Sequence, residues 1–156
     1  MRIRVIAVGT KMPGWVSEGC NTYAVRMPPE IKIEWVEIAI GPRGKGQSTE
    51  RAIAKESEQI LRQISDQDLV IALEVKGKAW STETLAQQLH QWQMSGRNIC
   101  LLIGGPDGLS DQCRARADSQ WSLSALTLPH PLVRVVVQEQ LYRAWSINAN
   151  HPYHRS

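Results

Sequence analysis

The segment that decides the fold reads Leu101-Leu102-Ile103-Gly104-Gly105-Pro106-Asp107-Gly108. A short apolar run that ends in a Gly-Gly-Pro turn is typical of a buried strand followed by a loop. A second apolar segment of small residues, LSALTL at 123–128, leads through Pro129-His130-Pro131 into a helix pattern. Ligands of open parallel sheets bind beyond the carboxyl ends of strands, so the two turns predict one ligand pocket.

Outward from this segment, strand patterns alternate with helix patterns. The predicted strands cover 2–8, 31–38, 69–75 and 98–103, with 123–128 a short strand or extended loop; the predicted helices cover 14–26, 50–64, 82–94, 110–117 and 131–147. Gly77 and Lys78 are predicted to form the turn after the third strand. This alternation predicts an α/β three-layer fold with a mainly parallel sheet. Residues 1–156 contain no repeat or linker pattern, which predicts a single domain.

The composition favours a globular protein of the cytoplasm. The chain has 156 residues, 42% of them hydrophobic and 21% charged, which is enough to bury a core. No apolar run reaches the roughly 18 residues of a membrane span, and we expect no membrane contact. The three cysteines are scattered, which predicts neither disulfides nor a metal site. The net charge of +3 permits a polyanionic partner without requiring one.

Two common nucleotide motifs do not fit. A dinucleotide fingerprint needs Gly-x-Gly-x-x-Gly after a strand, but here the spacing is Gly104, Gly105, Gly108, and Pro106 interrupts it. The Walker phosphate-binding pattern is absent from the sequence as well. The pocket is therefore expected to bind its ligand in another way than these two motifs do.

An ordered set of motifs along the whole chain carries a family resemblance. The set comprises VIAVGTKM at 5–12, LE at 73–74, GK at 77–78, LIGGPDGL at 102–109, LPH at 128–130, RV at 134–135, EQLYRA at 139–144 and HPYH at 151–154. It resembles the ribosomal RNA large subunit methyltransferase H family, of the SPOUT class. That family methylates N-3 of pseudouridine-1915 in helix 69 of bacterial 23S rRNA.

The resemblance implies a fold and a cofactor that composition does not show. SPOUT enzymes carry a deep trefoil knot in their C-terminal part, and they act as homodimers in which the partner can complete the site. They bind S-adenosyl-L-methionine in a bent form on the knotted loops. Carried over to this chain, the cofactor contacts would be Leu73, Gly104, Gly105, Leu123, Ser124, Ala125, Leu126, Thr127 and Leu128.

Five side chains are candidates for the methyl-transfer site, because a base or a hydrogen-bond donor must act near N-3. They are His130, Glu139, Arg143, Tyr153 and His154. His130 lies between two prolines, where a structural turn residue is equally plausible. Glu139 and Arg143 share a helix face and could be only a surface ion pair. The tail at 150–155 is too polar for a core, and the residue types favour Tyr153 and His154 as substrate-site residues; the residues alone do not assign the base.

Four basic residues are candidates for RNA contact. Arg155 follows the tail aromatics, and Arg and aromatic side chains together suit unpaired RNA. Arg134 could bind phosphate or simply lie in the first turns of the last helix. Arg43 and Lys45, in the Gly-rich segment 41–49, could clamp RNA or form a solvated mobile loop. The small net charge favours 23S rRNA within the assembled 70S ribosome as substrate. A different RNA target, and an inactive ribosome-binding module, remain the alternatives.

Overall fold

Five parallel strands form the central sheet of the computed structural model, which describes residues 1–44 and 46–155. The strand order across the sheet is β2-β1-β4-β3-β5, and every pairing is parallel. The strands are β1 Arg2–Val8, β2 Lys32–Ile38, β3 Leu69–Ala79, β4 Ile99–Ile103 and β5 Ser119–Ser122. The central position of β4 explains its sequence, because a strand that is covered on both faces has no polar side.

Five helices cover the two faces of this sheet. Their bounds are α1 Gly14–Ala24, α2 Thr49–Arg62, α3 Thr82–Ser95, α4 Asp111–Arg116 and α5 His130–Asn148. Leu89 of α3 and Leu141 of α5 lie in the core on one face, where α1 also packs against α5. Ile60 of α2 and Cys113 of α4 lie in the core on the other face. The predicted three-layer α/β fold with a parallel sheet is confirmed.

Local sequence signals mark several helix ends correctly. Ser48 and Ser81 accept hydrogen bonds from the backbone N–H groups of Arg51 and Thr84, as expected of N-caps. Gly96 ends α3 in the left-handed region with φ 69°, where a residue without a Cβ is favoured. These caps fix where α2 and α3 begin, and α3 in turn lies beside the middle of α5.

One expectation about the strands is wrong, and one alternative that the sequence left open is decided. Gly77 and Lys78 do not form a turn, because β3 continues to Ala79 and pairs with β5 again at Lys78. The register breaks between Leu73 and Lys78, so the residues between them bulge out of the ladder. The fifth strand is Ser119–Ser122, and 123–128 is the loop that follows it.

The chain path of the C-terminal half brings the ends of β3, β4 and β5 to one edge of the sheet. Residue 77 must be a glycine for β3 and β5 to meet there, because a Cβ would lie 2.8 Å from the Gln120 carbonyl carbon. The trefoil knot implied by the resemblance stays a prediction. Within the described residues, no helix is long and apolar enough to cross a membrane.

Candidate functional site

A cavity of about 460 Å³ opens at the carboxyl edge of the sheet. This volume lies in the range that binds small organic ligands, and the lining is mainly apolar. Most of the predicted cofactor residues line it, namely Leu73, Gly104, Gly105, Leu123, Ser124, Leu126 and Leu128. Ala125 and Thr127 belong to the same loop but are not among the lining residues. The position agrees with the rule for strand ends in parallel sheets.

The glycines of the turn after β4 serve the packing of the protein itself. A Cβ on Gly104 would lie 2.6 Å from the Gly108 carbonyl carbon, and one on Gly105 would lie 2.8 Å from Cγ1 of Val8. Both directions lead into the fold. These glycines therefore let the turn close on itself and on β1.

The loop 123–128 offers free backbone groups to the cavity. No backbone-to-backbone hydrogen bond links residues 123–128 to the rest of the described chain. Within the loop, the Ser124 hydroxyl accepts from the Leu126 N–H at 2.9 Å. Leu126 also lines the cavity although its side chain is 72% exposed. The loop can therefore place both backbone polar groups and an apolar side chain against a ligand.

Part of the cavity wall was not predicted from the sequence. Val8 and Gly9 at the end of β1, Met12 beyond them, and Ile40 after β2 also line the cavity. They lie there because β1 is the parallel neighbour of β4, so its carboxyl end is at the same edge of the sheet. The sheet order that makes them neighbours could not be obtained from the sequence pattern alone.

Arg43 is bound to the protein near this cavity and is not a free phosphate clamp in the described structure. Its Nη1 donates to Glu56 at 2.5 Å, and its Nε donates to Asp107 at 2.8 Å. Hydrogen bonds to these two carboxylates raise the pKa of Arg43, so the guanidinium keeps its charge. The interaction ties the segment after β2 to the turn after β4. Lys45, the other basic residue predicted for this loop, lies outside the described residues.

Half-buried His130 and buried Arg134 form a hydrogen-bonded unit at the start of α5. Arg134 is 4% exposed, and it donates to Glu37 at 2.6 Å, to the Gly9 carbonyl at 2.7 Å and to His130 Nε2 at 2.9 Å. Of the two roles left open for Arg134, the structure favours a place in the first turns of α5 over a phosphate contact, since each guanidinium nitrogen has an internal acceptor. His130 borders the cavity, but its Nε2 lone pair is occupied, which disfavours a role as base.

This environment gives a pH dependence. Burial, then the Arg134 charge, lower the pKa of His130 below its ordinary value, against the opposing effects of a hydrogen bond to the Gly104 backbone and of Glu37. The unfolded chain therefore takes up a proton first as pH falls, and the free energy of unfolding decreases below about pH 6.5. We expect the destabilisation caused by His130→Gln to be smaller at pH 5.5 than at pH 7.5 in urea titrations.

The matched control is His90→Gln, at an exposed position on α3. Its effect on the free energy of unfolding should be small at both pH values. An equal cost of His130→Gln at the two pH values would contradict the lowered pKa of the half-buried His130 imidazole.

The four other catalytic candidates lie together near the C-terminus. Glu139 Oε1 accepts from the Tyr153 hydroxyl at 2.9 Å and from Arg143 Nε at 2.8 Å. Arg143 Nη1 lies 3.1 Å from Nδ1 of His154, and the Arg143 guanidinium carbon lies 4.8 Å from the centre of the Tyr153 ring. These contacts hold the tail in place. The Tyr153 ring also packs against Tyr142, with ring centres 4.6 Å apart. We call these four residues, Glu139, Arg143, Tyr153 and His154, the tail cluster.

The hydrogen-bond chemistry of the tail cluster assigns donors and acceptors. Arginine only donates, so His154 Nδ1 must accept from Arg143, which leaves the proton on Nε2 to face Glu83 Oε1 at 3.2 Å. Burial, then the hydrogen bond to Glu139, raise the pKa of Tyr153 to about 12. The phenol is thus a hydrogen-bond donor at neutral pH, and Glu139 raises the pKa of Arg143 so that its cation persists. Glu83 was missed by the sequence analysis because it belongs to α3.

The tail cluster and His130 do not meet within one protomer. His130 and Glu139 are both on α5, nine positions apart. At about 1.5 Å per residue the two lie roughly 13 Å apart along the axis. Arg155, the last predicted RNA contact, is exposed beside the tail cluster. Within 1–44 and 46–155, no group of three or more His, Cys, Asp or Glu side chains is arranged to hold a metal ion.

Comparisons with known proteins identify a family that this chain resembles along its length. A family model described as "Predicted SPOUT methyltransferase" matches residues 1–154. Proteins named "Ribosomal RNA large subunit methyltransferase H" from Marinomonas sp. (strain MWYL1) and Hahella chejuensis are each 57% identical over 155 residues. The alignments cover 99% of this chain, and 100% and 99% of those two proteins.

Solved structures agree at the level of the fold. A probable methylase family protein from Haemophilus influenzae Rd KW20 matches with a TM-score of 0.56 at 14% identity, over 99% of this chain and 70% of that one. A putative methylase family protein from Neisseria gonorrhoeae matches with a TM-score of 0.53, also at 14% identity, over 97% of this chain and 95% of that one.

Proposed function

Because this chain belongs to the SPOUT methyltransferases, and within them to the ribosomal RNA large subunit methyltransferase H family, we propose that it uses S-adenosyl-L-methionine to methylate N-3 of pseudouridine-1915 in helix 69 of 23S rRNA. The observation that carries the proposal is the tail cluster together with the cavity at the sheet edge. The tail cluster supplies charged and polar groups that can contact the target nucleobase. The cavity supplies an apolar pocket that can bind the cofactor.

The cavity fits the cofactor in size and in chemistry. Its volume of about 460 Å³ suits a nucleoside-sized ligand, and apolar side chains such as Leu73 and Leu128 can enclose an adenine ring. The loop 123–128 has backbone N–H and C=O groups without backbone partners in the described chain, which can read the polar edge of that ring. When bound, S-adenosyl-L-methionine supplies an activated methyl group on a sulfonium centre.

The tail cluster would act on the target base through charge and hydrogen bonds. N-3 of pseudouridine must lose a proton, and the resulting negative charge spreads onto the two neighbouring carbonyl oxygens. Arg143 is a permanent cation and keeps N–H groups beyond those that face Glu139 and His154, so it can donate to such an oxygen and favour deprotonation. The Tyr153 hydroxyl donates its single proton to Glu139, and it thereby helps to position the carboxylate that holds Arg143. The final proton acceptor in this account is solvent water, since His154 Nδ1 already accepts from Arg143.

The family acts as a homodimer, and the distance between the cavity and the tail cluster in one chain gives a reason why a dimer would be needed. Roughly 13 Å of helix separates His130, beside the cavity, from Glu139 in the same protomer. We propose that a second protomer completes the site, and that the protein is a dimer of cytoplasmic location. Sedimentation equilibrium of the purified protein tests this, and a monomer that is fully active would contradict it.

The ribosome is the proposed substrate form, because the net charge of the chain is only +3 and isolated RNA would be bound weakly. We expect transfer of a tritiated methyl group to purified 70S ribosomes, mapped to 23S rRNA, and much slower transfer to a naked 23S transcript. Equal rates on the two substrates would contradict the requirement for an assembled ribosome. Label on another RNA would support the assignment as a methyltransferase but would show that 23S rRNA is not its target.

Leu126→Ala tests the cofactor cavity without disturbing the core. Leu126 is 72% exposed, so its truncation should change the free energy of unfolding by less than about 0.5 kcal/mol. If Leu126 covers bound cofactor, the loss of its apolar contact should raise the Kd for S-adenosyl-L-methionine about tenfold in calorimetric titration. Met94→Ala is the matched control, because Met94 is 71% exposed and lies on α3, outside the cavity lining. Equal Kd values for both variants would contradict the placement of the cofactor.

A further inference from the structure

The turn after α1 carries an exposed arginine without an anionic partner. Arg26 follows the end of α1, and its backbone N–H donates to the Tyr23 carbonyl at 3.1 Å, which fixes the backbone there. Within residues 1–44 and 46–155, its guanidinium has no carboxylate at ion-pair distance and no hydrogen-bond acceptor. A guanidinium is charged at neutral pH and has five N–H donors, so these donors are available to an anion.

Most other arginine side chains of this chain are already engaged. Arg43 and Arg134, which the sequence made candidates for RNA contact, both donate to carboxylates of the protein itself. Arg155 is exposed beside the tail cluster, and Arg51 is exposed on α2. Arg26 therefore belongs to a small group of guanidiniums that can bind an external anion without first breaking an internal ion pair.

Two tyrosine rings hold the Arg26 side chain in place. Its guanidinium carbon lies 5.7 Å from the centre of the Tyr23 ring and 6.0 Å from the centre of the Tyr142 ring, within the range of cation–π attraction. The Tyr142 ring belongs to a residue that is 4% exposed, so its position is set by the core. The rings restrict the guanidinium but accept none of its N–H groups, which reduces the entropy lost when an anion binds.

The same aromatic group continues into the tail cluster. The ring of Tyr142 lies 4.6 Å from that of Tyr153, and the guanidinium carbon of Arg143 lies 4.8 Å from the Tyr153 ring centre. Arg26 and Arg143 are thus two cations joined by contacting aromatic rings. Both belong to one protomer, so their proximity holds whichever protomer supplies the cofactor cavity.

We propose that Arg26, held by Tyr23 and Tyr142, binds a backbone phosphate of the RNA beside the target nucleotide. This inference rests on the proposed function, and it adds a phosphate contact to the substrate surface around the tail cluster. The planar guanidinium matches two phosphate oxygens at once, and arginine beside aromatic rings suits unpaired RNA. A phosphate contact positions the substrate and takes no part in methyl transfer, so its loss affects binding before rate.

Arg26→Gln tests this contact. We expect the KM for 70S ribosomes to rise about tenfold, while kcat and the Kd for S-adenosyl-L-methionine change less than twofold. The Kd for ribosomes should also depend less on salt: the slope of its logarithm against the logarithm of the KCl concentration, at fixed Mg²⁺, should fall by about 0.7–0.9. A contact that serves only the fold would not change this slope.

Arg51→Gln is the matched control, because it removes the same exposed charge from α2, on the other face of the sheet. It should leave the KM for ribosomes and the salt slope as in the wild type. The net charge of the two variants is equal, so a difference between them reports the position of the charge.

Two variants of Tyr23 test the aromatic support of Arg26. Tyr23→Phe keeps the ring and should behave as the wild type, whereas Tyr23→Leu removes it and should raise the KM for ribosomes about threefold, the size of a cation–π interaction at a surface. An unchanged KM in Tyr23→Leu would contradict the assigned role of this ring.

Two results for Arg26→Gln would overturn the proposal. A lower melting temperature with unchanged KM and salt slope would show that the charge only stabilises the carboxyl end of α1. A shift of the monomer–dimer equilibrium in sedimentation, again with an unchanged salt slope, would show that the residue contacts a second protomer.

The wild-type protein distinguishes failure of this contact from failure of the proposed function. If it methylates ribosomes and Arg26→Gln matches Arg51→Gln in KM and salt slope, the phosphate contact is refuted while the proposed function stands. If the wild-type protein binds the cofactor but transfers no methyl group to ribosomes, the proposed function fails, and the phosphate contact fails with it.

Discussion

Replacing Glu139 by alanine is expected to lower kcat for methyl transfer to ribosomes about 100-fold, while the Kd for S-adenosyl-L-methionine changes less than twofold. Glu139 Oε1 accepts from both the Arg143 guanidinium and the Tyr153 hydroxyl, so its removal releases Arg143, the donor assigned to the target base, from the group that positions it. Loss of a single donor to a developing negative charge commonly costs about 10² to 10³ in rate. Single-turnover transfer of labelled methyl groups measures this change.

The control for Glu139→Ala is Glu58→Ala, which removes another i,i+4 Glu–Arg pair, on the exposed surface of α2. It should change neither the rate nor the affinity. Glu139→Gln provides a second comparison, because its amide oxygen can still accept from Tyr153 and should restore part of the rate. A rate for Glu139→Ala within threefold of wild type would contradict the role of the tail cluster.

Arg134→Met is expected to lower the free energy of unfolding by about 3 kcal/mol, the low end of the range for breaking a buried ion pair. The estimate lies at the low end because the Glu37 side chain is 40% exposed and is partly screened by water. The loss would leave the Gly9 carbonyl and the His130 lone pair without their donor. For a chain of this size, the melting temperature should fall by about 6–12 °C.

Arg62→Met is the matched control for this stability prediction. Arg62 pairs with Glu58 on the surface, with both side chains more than half exposed, so its loss should cost less than about 0.5 kcal/mol. Differential scanning calorimetry of the two variants compares the same substitution in buried and exposed positions. A melting temperature of Arg134→Met within 2 °C of wild type would contradict the structural role of Arg134.

The sequence was informative about elements whose boundaries are set locally. The apolar run before Gly104 predicts β4, and the serines before α2 and α3 predict their starts, because capping depends on neighbouring residues. The continuation of β3 past Gly77 could not be predicted in this way. It depends on pairing with β5, which is over 40 residues further along the chain.

In the candidate site too, contacts between residues close in sequence were predictable, whereas contacts that depend on long-range packing were not. The i,i+4 spacing of Glu139 and Arg143 predicted their contact, which the structure contains. The burial of Arg134 was not predictable, since it requires the ends of β1 and β2 to lie beside the first turns of α5. Glu83 was missed for a similar reason, because only the packing of α3 on α5 brings it to the tail.

The central claim is tested most directly by methyl transfer to two sets of 70S ribosomes, both lacking this methylation and one also lacking the pseudouridines of helix 69. With tritiated S-adenosyl-L-methionine and purified protein, the account predicts label in 23S rRNA only where the pseudouridines are present, at position 1915. Equal labelling of both sets, or labelling of neither by protein that binds the cofactor, would contradict the proposed substrate.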